Sequence, residues 1–158
     1  MKNIKSMDGI MEQAEKICLA RGKRLTTKRK LILGALLHVK KPLSAYELVD
    51  YCNHHFAQNI QAMSVYRILD FLESEHFAHR LNTSNKYIAC SHIKCDHEHG
   101  VPQFLICSQC GRVSEVAVEP NIISSVCANA KKEGFTVLSP QFEISCICDD
   151  CAKNQPTE

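Results

Sequence analysis

Two C-x-x-C pairs, Cys107-Ser-Gln-Cys110 and Cys148-Asp-Asp-Cys151, carry the strongest chemical signal in this chain. Two intervening residues let both thiolates of a pair reach one tetrahedral ion, and two such pairs complete a four-sulfur shell for zinc. Gly111, directly after the first pair, suits the tight turn around a metal. The stretch from Gly111 to Ile147 is longer than the usual gap in a zinc ribbon, so it must fold as a unit that returns the second pair to the first. Cys107, Cys110, Cys148 and Cys151 are therefore expected to hold a structural zinc. A pair of unconnected redox dithiols is the alternative.

A second group is more scattered: His79, Cys90, His92, Cys95, His97, His99 and Glu115. Mixed nitrogen, sulfur and oxygen donors from both halves of the chain would make a site that exists only while the halves are held together. Such a site suits a sensor better than a staple, although each histidine alone reads as solvent-facing. Catalytic signatures are weak. His97-Glu98-His99 is not H-E-x-x-H, and no H-x-E precedes a P-C-x-x-C, so neither a metalloprotease nor a zinc deaminase is indicated. Each C-x-x-C sits at a strand end, whereas a thioredoxin-like dithiol opens a helix. The chain is not expected to be an enzyme.

Ten cysteines in 158 residues require a reason. The first thirty residues are charged and hold no apolar run before a cleavage site, so no secretory signal is expected. The longest apolar stretch, Leu31 to Leu37, is far below the roughly 20 residues of a membrane span. A cytoplasmic location follows as the expectation, and there thiols serve metals more often than disulfides. Charge is uneven: residues 1–30 hold nine Lys/Arg against three Asp/Glu, a balance of +6, while the whole chain is +2, leaving −4 for the rest. A basic front and a thiol-rich back suggest two halves with different partners.

The elements that must position these groups follow from periodicity and caps. Asp8 is a candidate cap for a helix to about Arg21 with Ile10, Ala14, Ile17 and Cys18 inward, ended by Gly22. Thr26 or Thr27 caps a second, Lys28 to His38, with Leu31, Ile32, Ala35 and Leu36 as its stripe. Ser44-Ala-Tyr-Glu47 fits a capping box, and Leu43 with Leu48 a hydrophobic staple, for a third helix to about His55 or Phe56. A fourth runs from about Ala62 to Ser74 with Val65, Ile68, Leu69 and Leu72 inward. Phe77 to Leu81 and Lys86 to Cys90 are strands around the turn Asn82–Asn85. Helices followed by a two-stranded ribbon make a winged helix-turn-helix.

After a polar linker, Gln103–Ile106 and Arg112–Val118 read as strands. Pro120 opens a helix to about Glu133, with Ile122, Ile123, Val126, Cys127 and Ala130 on one face. Phe135–Leu138 and Phe142–Ile147 read as two more strands. The fold class is α+β: a winged-helix domain over 1–90, a hinge with metal ligands over 91–102, and a zinc-stapled α/β domain over 103–158. A half of this size rarely buries enough apolar surface to stand without a staple.

Ala14-Glu-Lys-Ile-Cys18, Arg24-Leu-Thr, Ser44-Ala-Tyr-Glu-Leu, Ser64-Val-Tyr-Arg-Ile-Leu-Asp-Phe-Leu72, Tyr87-Ile-Ala-Cys90 and Ile106-Cys-x-x-Cys-Gly111 resemble the ferric uptake regulator family, and within it the zinc-responsive branch. The resemblance spans residues 8–152. It implies a homodimeric, zinc-responsive repressor that binds palindromic operator DNA and controls zinc uptake genes, with dimerisation in the second half and two zinc ions per chain. It also implies that Cys107, Cys110, Cys148 and Cys151 hold the structural zinc, and that His79, Cys90, Glu115 and a linker histidine (His99, with His97 as the alternative) hold the regulatory one. Thr27 stands where the family usually has proline, and Met63-Ser64 where it has Pro-Thr. Iron- and peroxide-responsive relatives remain as alternatives, but Cys90 is a soft ligand that favours zinc.

On the fourth helix, read as the recognition helix, Arg67 is the candidate for base readout. Tyr46 and Tyr66 are placed to reach backbone or a thymine methyl, and Ser64 to donate to phosphate. Lys23, Arg24, Lys28 and Arg29 would meet phosphates and make affinity depend on salt. For Tyr66 the competing assignment is a packed interior ring, and for the basic run a solvated face.

Overall fold

A reciprocal cap sets the geometry of the front half. Ser44 Oγ accepts the Glu47 N–H at 3.2 Å, and Glu47 Oε2 accepts the Ser44 N–H at 2.6 Å. Leu43, just before the cap, pairs backbone to backbone with Tyr87 in both directions, at 2.9 and 2.8 Å. One loop thus starts a helix and fixes it to the ribbon. The computed structural model describes residues 2–57, 59–93, 100–138 and 140–154, with the side chains of 2–6 excepted.

The chain divides into two compact units, Met1–Cys95 and Asp96–Glu158. The first holds α1 (Lys2–Ala20), α2 (Thr27–Val39), α3 (Ala45–Phe56) and α4 (Ala62–Ser74), then the antiparallel ribbon of β1 (Ala78–Leu81) and β2 (Lys86–Ala89). This is the expected winged helix-turn-helix. Its core gathers Ala14 and Cys18 of α1, Ile32, Leu33, Ala35 and Leu36 of α2, Leu48 of α3, and Val65, Ile68, Leu69 and Leu72 of α4. Thr26 caps α2, accepting from Arg29 N–H at 3.5 Å.

Two expectations need correction here. Asp8 is no cap: α1 starts at Lys2, because no proline stands ahead of Asp8 and an interior aspartate costs a helix only tenths of a kcal/mol, roughly. In α2, Leu33 is buried while Leu31 is only half-buried, since α2 is covered on more than one side.

The second unit holds β3 (Pro102–Cys107), β4 (Val113–Ala117), α5 (Pro120–Lys132), β5 (Phe142–Cys146) and the short α6 (Asp149–Lys153). The sheet order is β4-β3-β5: β3 is antiparallel to β4 and parallel to β5, and the chain between β4 and β5 carries α5. Residues 135–138 are not a strand. Gly134 ends α5 at φ +81°, and the Phe135 N–H is spent on the Ala130 carbonyl at 2.8 Å, closing the helix. Phe135 and Leu138 are left 71% and 93% exposed.

The apolar face of α5 is left largely open. Ile122 and Val126 are exposed, and Ile123, Cys127 and Ala130 only half-buried. Among the described residues of this unit, the buried apolar side chains are Phe104, Cys107 and Val118. So few cannot offset the conformational entropy of ordering the unit. No helix among the described residues is long and apolar enough to cross a membrane.

Candidate metal centres and nucleic-acid interface

The ends of β3 and β5 and the start of α6 bring the four expected cysteines together. Cys107 closes β3 in register with Cys146 of β5, and the Ser108 N–H continues to the Cys146 carbonyl at 2.9 Å. The chain turns at once: the Gly111 N–H returns to the Cys107 carbonyl at 3.0 Å, with Gly111 at φ +72°, a conformation that suits glycine. Cys148 caps α6, whose first turn holds Asp149 and Asp150, acids favoured at a helix start. Cys151 lies one turn on.

The four sulfurs lie within 4.8 Å of one another, and Cys110 Sγ and Cys148 Sγ stand 3.7 Å apart. With zinc–sulfur bonds of about 2.3 Å, a regular tetrahedron separates its sulfurs by about 3.8 Å. That separation is far beyond a disulfide bond of about 2 Å. The donor set and spacing fit zinc.

The thiols divide their protons unevenly. The Cys110 N–H, and next that of Cys148 (3.4 Å from Cys107 Sγ), pull the Cys107 thiol down to about 6. Hydrogen bonding with the sulfurs of Cys148 and Cys110 pushes Cys151 up to about 12. A divalent cation at the centre would replace those shared protons. Arg112 donates to Asp150 Oδ2 at 2.8 Å, and the negative charges of Cys148 and then Asp150 hold its guanidinium above its ordinary range.

The first unit contributes a donor pair of its own. His79 is on β1 opposite Ile88, and the Cys90 N–H bonds to the Phe77 carbonyl at 2.9 Å. Residues opposite each other share a face, so His79 and Cys90 are diagonal neighbours on one side of the ribbon. A ring nitrogen of His79 lies within 4.8 Å of the Cys90 sulfur. Cys90 is buried and His79 half-buried. Glu115 stands on β4 of the second unit, half-buried and in register with Phe104. His97, His99 and Cys95 lie outside the described residues.

Four of the residues expected to meet nucleic acid lie on α3 and α4. Tyr46 is 65% exposed, and its ring meets Tyr66 edge to face at 6.4 Å and 85°. Arg67 is exposed one turn after the start of α4, Tyr66 and Ser64 are half-buried, and Met63 is exposed. Arg24 and Lys28 are exposed. Lys23 and Arg29 also have partners within the unit. Arg29 lies 3.4 Å over the centre of the Phe71 ring and donates to the Arg24 carbonyl at 2.6 Å. Lys23 is paired with Glu75.

Glu75 escaped the sequence reading. It is buried, its Oε2 accepts from Arg21 Nη1 at 3.1 Å, and its Oε1 accepts from Lys23 Nζ. Burial would raise this carboxyl, but hydrogen bonds from Lys23 and Arg21, and their charges, outweigh it and hold it below its usual range. The signal was available: Val65, Ile68 and Leu72 line the inward face of α4, Glu75 at its C-cap continues their spacing, and an acid following an apolar stripe has to find a cation.

The sequence pattern of the Ferric uptake regulator family matches residues 20–145. The Zinc uptake regulation protein of Escherichia coli (strain K12) is 33% identical over 144 residues, 91% of this chain and 82% of that one. Among solved structures, a zinc uptake regulator complexed with zinc and DNA superposes with a TM-score of 0.83 at 31% identity, covering 93% of this chain and 95% of that one. The holo form of XcZur gives 0.78 at 33% identity, covering 92% and 98%.

Proposed function

The chain belongs to the ferric uptake regulator family, and from that premise we infer that it is a zinc-responsive transcriptional repressor of zinc uptake genes. It binds palindromic operator DNA as a homodimer when zinc-loaded, acts in the cytoplasm, and carries out no catalysis. Each chain takes two zinc ions. One sits on Cys107, Cys110, Cys148 and Cys151 and holds the second unit together. The other is taken by His79 and Cys90 with Glu115 and a linker histidine, His99 or else His97.

One observation carries the metal-sensing part: a nitrogen and a sulfur donor, His79 and Cys90, side by side on the ribbon of the unit that also displays Tyr46, Tyr66 and Arg67. Thiolate in that pair favours zinc over the harder iron(II) or manganese(II). An ion that also takes Glu115 ties the DNA-binding unit to the dimerising one, so two heads face two half-sites at a fixed spacing. Zinc shifts that equilibrium only through its greater affinity for the DNA-competent arrangement.

The dimer is supported by apolar surface the single chain leaves open. Ile122 and Val126 of α5, Phe135 and Leu138 after it, and Ile144 and Ile147 are all exposed, and monomers rarely leave so much in one small unit. On the DNA, Arg67 reads a base, with guanine the partner suited to its two-bond fork. Tyr46, Tyr66 and Ser64 contact backbone or thymine. Arg24 and Lys28 bind phosphate directly, with Lys23 and Arg29 at the margin.

Gel-shift titration of the zinc-loaded dimer over buffered free zinc tests the reading. Affinity for operator DNA should rise steeply with zinc and not with iron(II). Binding indifferent to zinc would refute it.

A further inference from the structure

Arg112 joins the two halves of the four-cysteine centre. Its carbonyl accepts the Cys107 N–H at 2.9 Å, and its Nη1 donates to Asp150 Oδ2 at 2.8 Å on the helix that carries Cys151. The side chains of Arg112 and Asp150 are 55% and 73% exposed, so as a tether the pair adds little to stability. Its surroundings make the charge matter more. Four thiolates around Zn2+ leave a net charge of −2, and Asp149 and Asp150 add two further negative charges in the first turn of α6. Among the described residues, Arg112 is a cation seen paired with that anionic group.

We propose that Arg112 is the counter-charge of the four-thiolate zinc centre, a positioning residue whose positive charge, rather than its tether to Asp150, slows loss of the ion. The inference rests on the structural zinc assigned above. Zinc leaves when the thiolates give it up one at a time to the competing chelator. A cation at the rim favours the anionic, zinc-bound shell. Without it the shell holds more uncompensated charge, and each release step is easier. Asp150, next to Cys151, holds Arg112 at the rim, and a neighbouring charge in a largely solvated setting is worth about a fivefold change in rate.

The test follows zinc transfer from the full-length, zinc-loaded chain to a neutral chelator such as TPEN, because an anionic chelator would itself be drawn to Arg112. Circular dichroism and zinc content are checked before each run. R112Q should release its tightly held zinc about fivefold faster. R112K keeps the charge but not the planar fork, and should match the natural chain. D150N removes the tether while leaving the cation, and should be no faster than the natural chain. An unchanged rate in R112Q overturns the proposal, as does a D150N rate raised as far as that of R112Q. If R112Q does not fold, D150N decides: a rate below that of the natural chain, as removal of one negative charge beside Arg112 requires, supports the counter-charge, and a rate at or above it overturns the proposal. A natural chain that binds no zinc would instead refute the zinc centre itself.

Discussion

The buried Glu75 carboxylate and the Arg21 guanidinium meet at 3.1 Å, tying the end of α4 to the turn after α1. Lys23 shares the same carboxylate. The pairing holds Glu75 below its usual range, so the folded chain binds fewer protons there than the unfolded one. Its contribution to stability is full above the ordinary carboxylate range and is lost as pH falls through the folded value. All four tyrosines, Tyr46, Tyr51, Tyr66 and Tyr87, lie in the first unit, and the chain has no tryptophan. Tyrosine fluorescence therefore reports that unit alone. Urea unfolding at pH 7 should show Glu75→Gln less stable by about 1–3 kcal/mol, below the full cost of breaking a buried pair because both cations are half-exposed and can turn to water. The gap should narrow at acid pH. An unchanged gap between pH 7 and pH 3 would show that the carboxylate charge is not what matters.

The second unit should depend on its metal. A structural zinc provides apparent binding free energy of about 10–16 kcal/mol, while a whole domain has about 5–15. The buried apolar residues among those described here are only Phe104, Cys107 and Val118. Cys151→Ser should lose the tightly held zinc, the dimer and the sheet of this unit, with tyrosine fluorescence of the first unit nearly unchanged. Zinc content, sedimentation and circular dichroism measure the three. A Cys151→Ser chain that stays dimeric without zinc would show that the apolar surface alone suffices.

The helical unit was legible because its signals are local. The Ser44–Glu47 box, the Val65-Ile68-Leu69-Leu72 stripe and the Asn82–Asn85 turn each declare themselves within one or two turns of chain. The four-cysteine centre was legible too, because two-residue spacing means little except metal or redox chemistry. Residues 135–138 misled because β-prone residues form a strand only if their backbone is free to join a ladder, and here Gly134 turns the chain and the Phe135 N–H closes α5. On α5, periodicity says which side is apolar but not whether the cover comes from the same chain. Glu75, Arg29 over Phe71 and Arg112 with Asp150 were missed because their partners are set by tertiary proximity that spacing does not encode.

Base readout and phosphate binding should separate on the DNA surface. Arg67→Ala should lose discrimination at one base position by about 1–3 kcal/mol with little change in salt dependence. Lys28→Ala should weaken binding evenly across sequences and reduce the slope of log affinity against log salt by about 0.9 for each phosphate it no longer neutralises. Lys23→Ala should change the slope less, since its ammonium is shared with Glu75. Competition binding against a set of single-base operator variants at several salt concentrations gives both quantities. An Arg67→Ala chain with a full set of base preferences would move readout elsewhere on α4.

The sharpest separation between staple and sensor comes from Cys90→Ser. Cys90 is buried beside His79 in the first unit, and its replacement is nearly isosteric, so the winged helix should fold and the four-cysteine centre should keep its ion. A hydroxyl is a poor zinc ligand beside a thiolate, so the second ion should be lost and zinc content should fall from two per chain to one. Operator binding should then lose its response to free zinc and stay at the weak level of the natural chain under zinc buffering. His79→Ala should do the same by removing the nitrogen donor. The paired measurements are metal content after mild chelation and gel shift on the same samples. Loss of both ions together in Cys90→Ser would mean that the two centres are not independent, and a retained zinc response would remove Cys90 from the sensor.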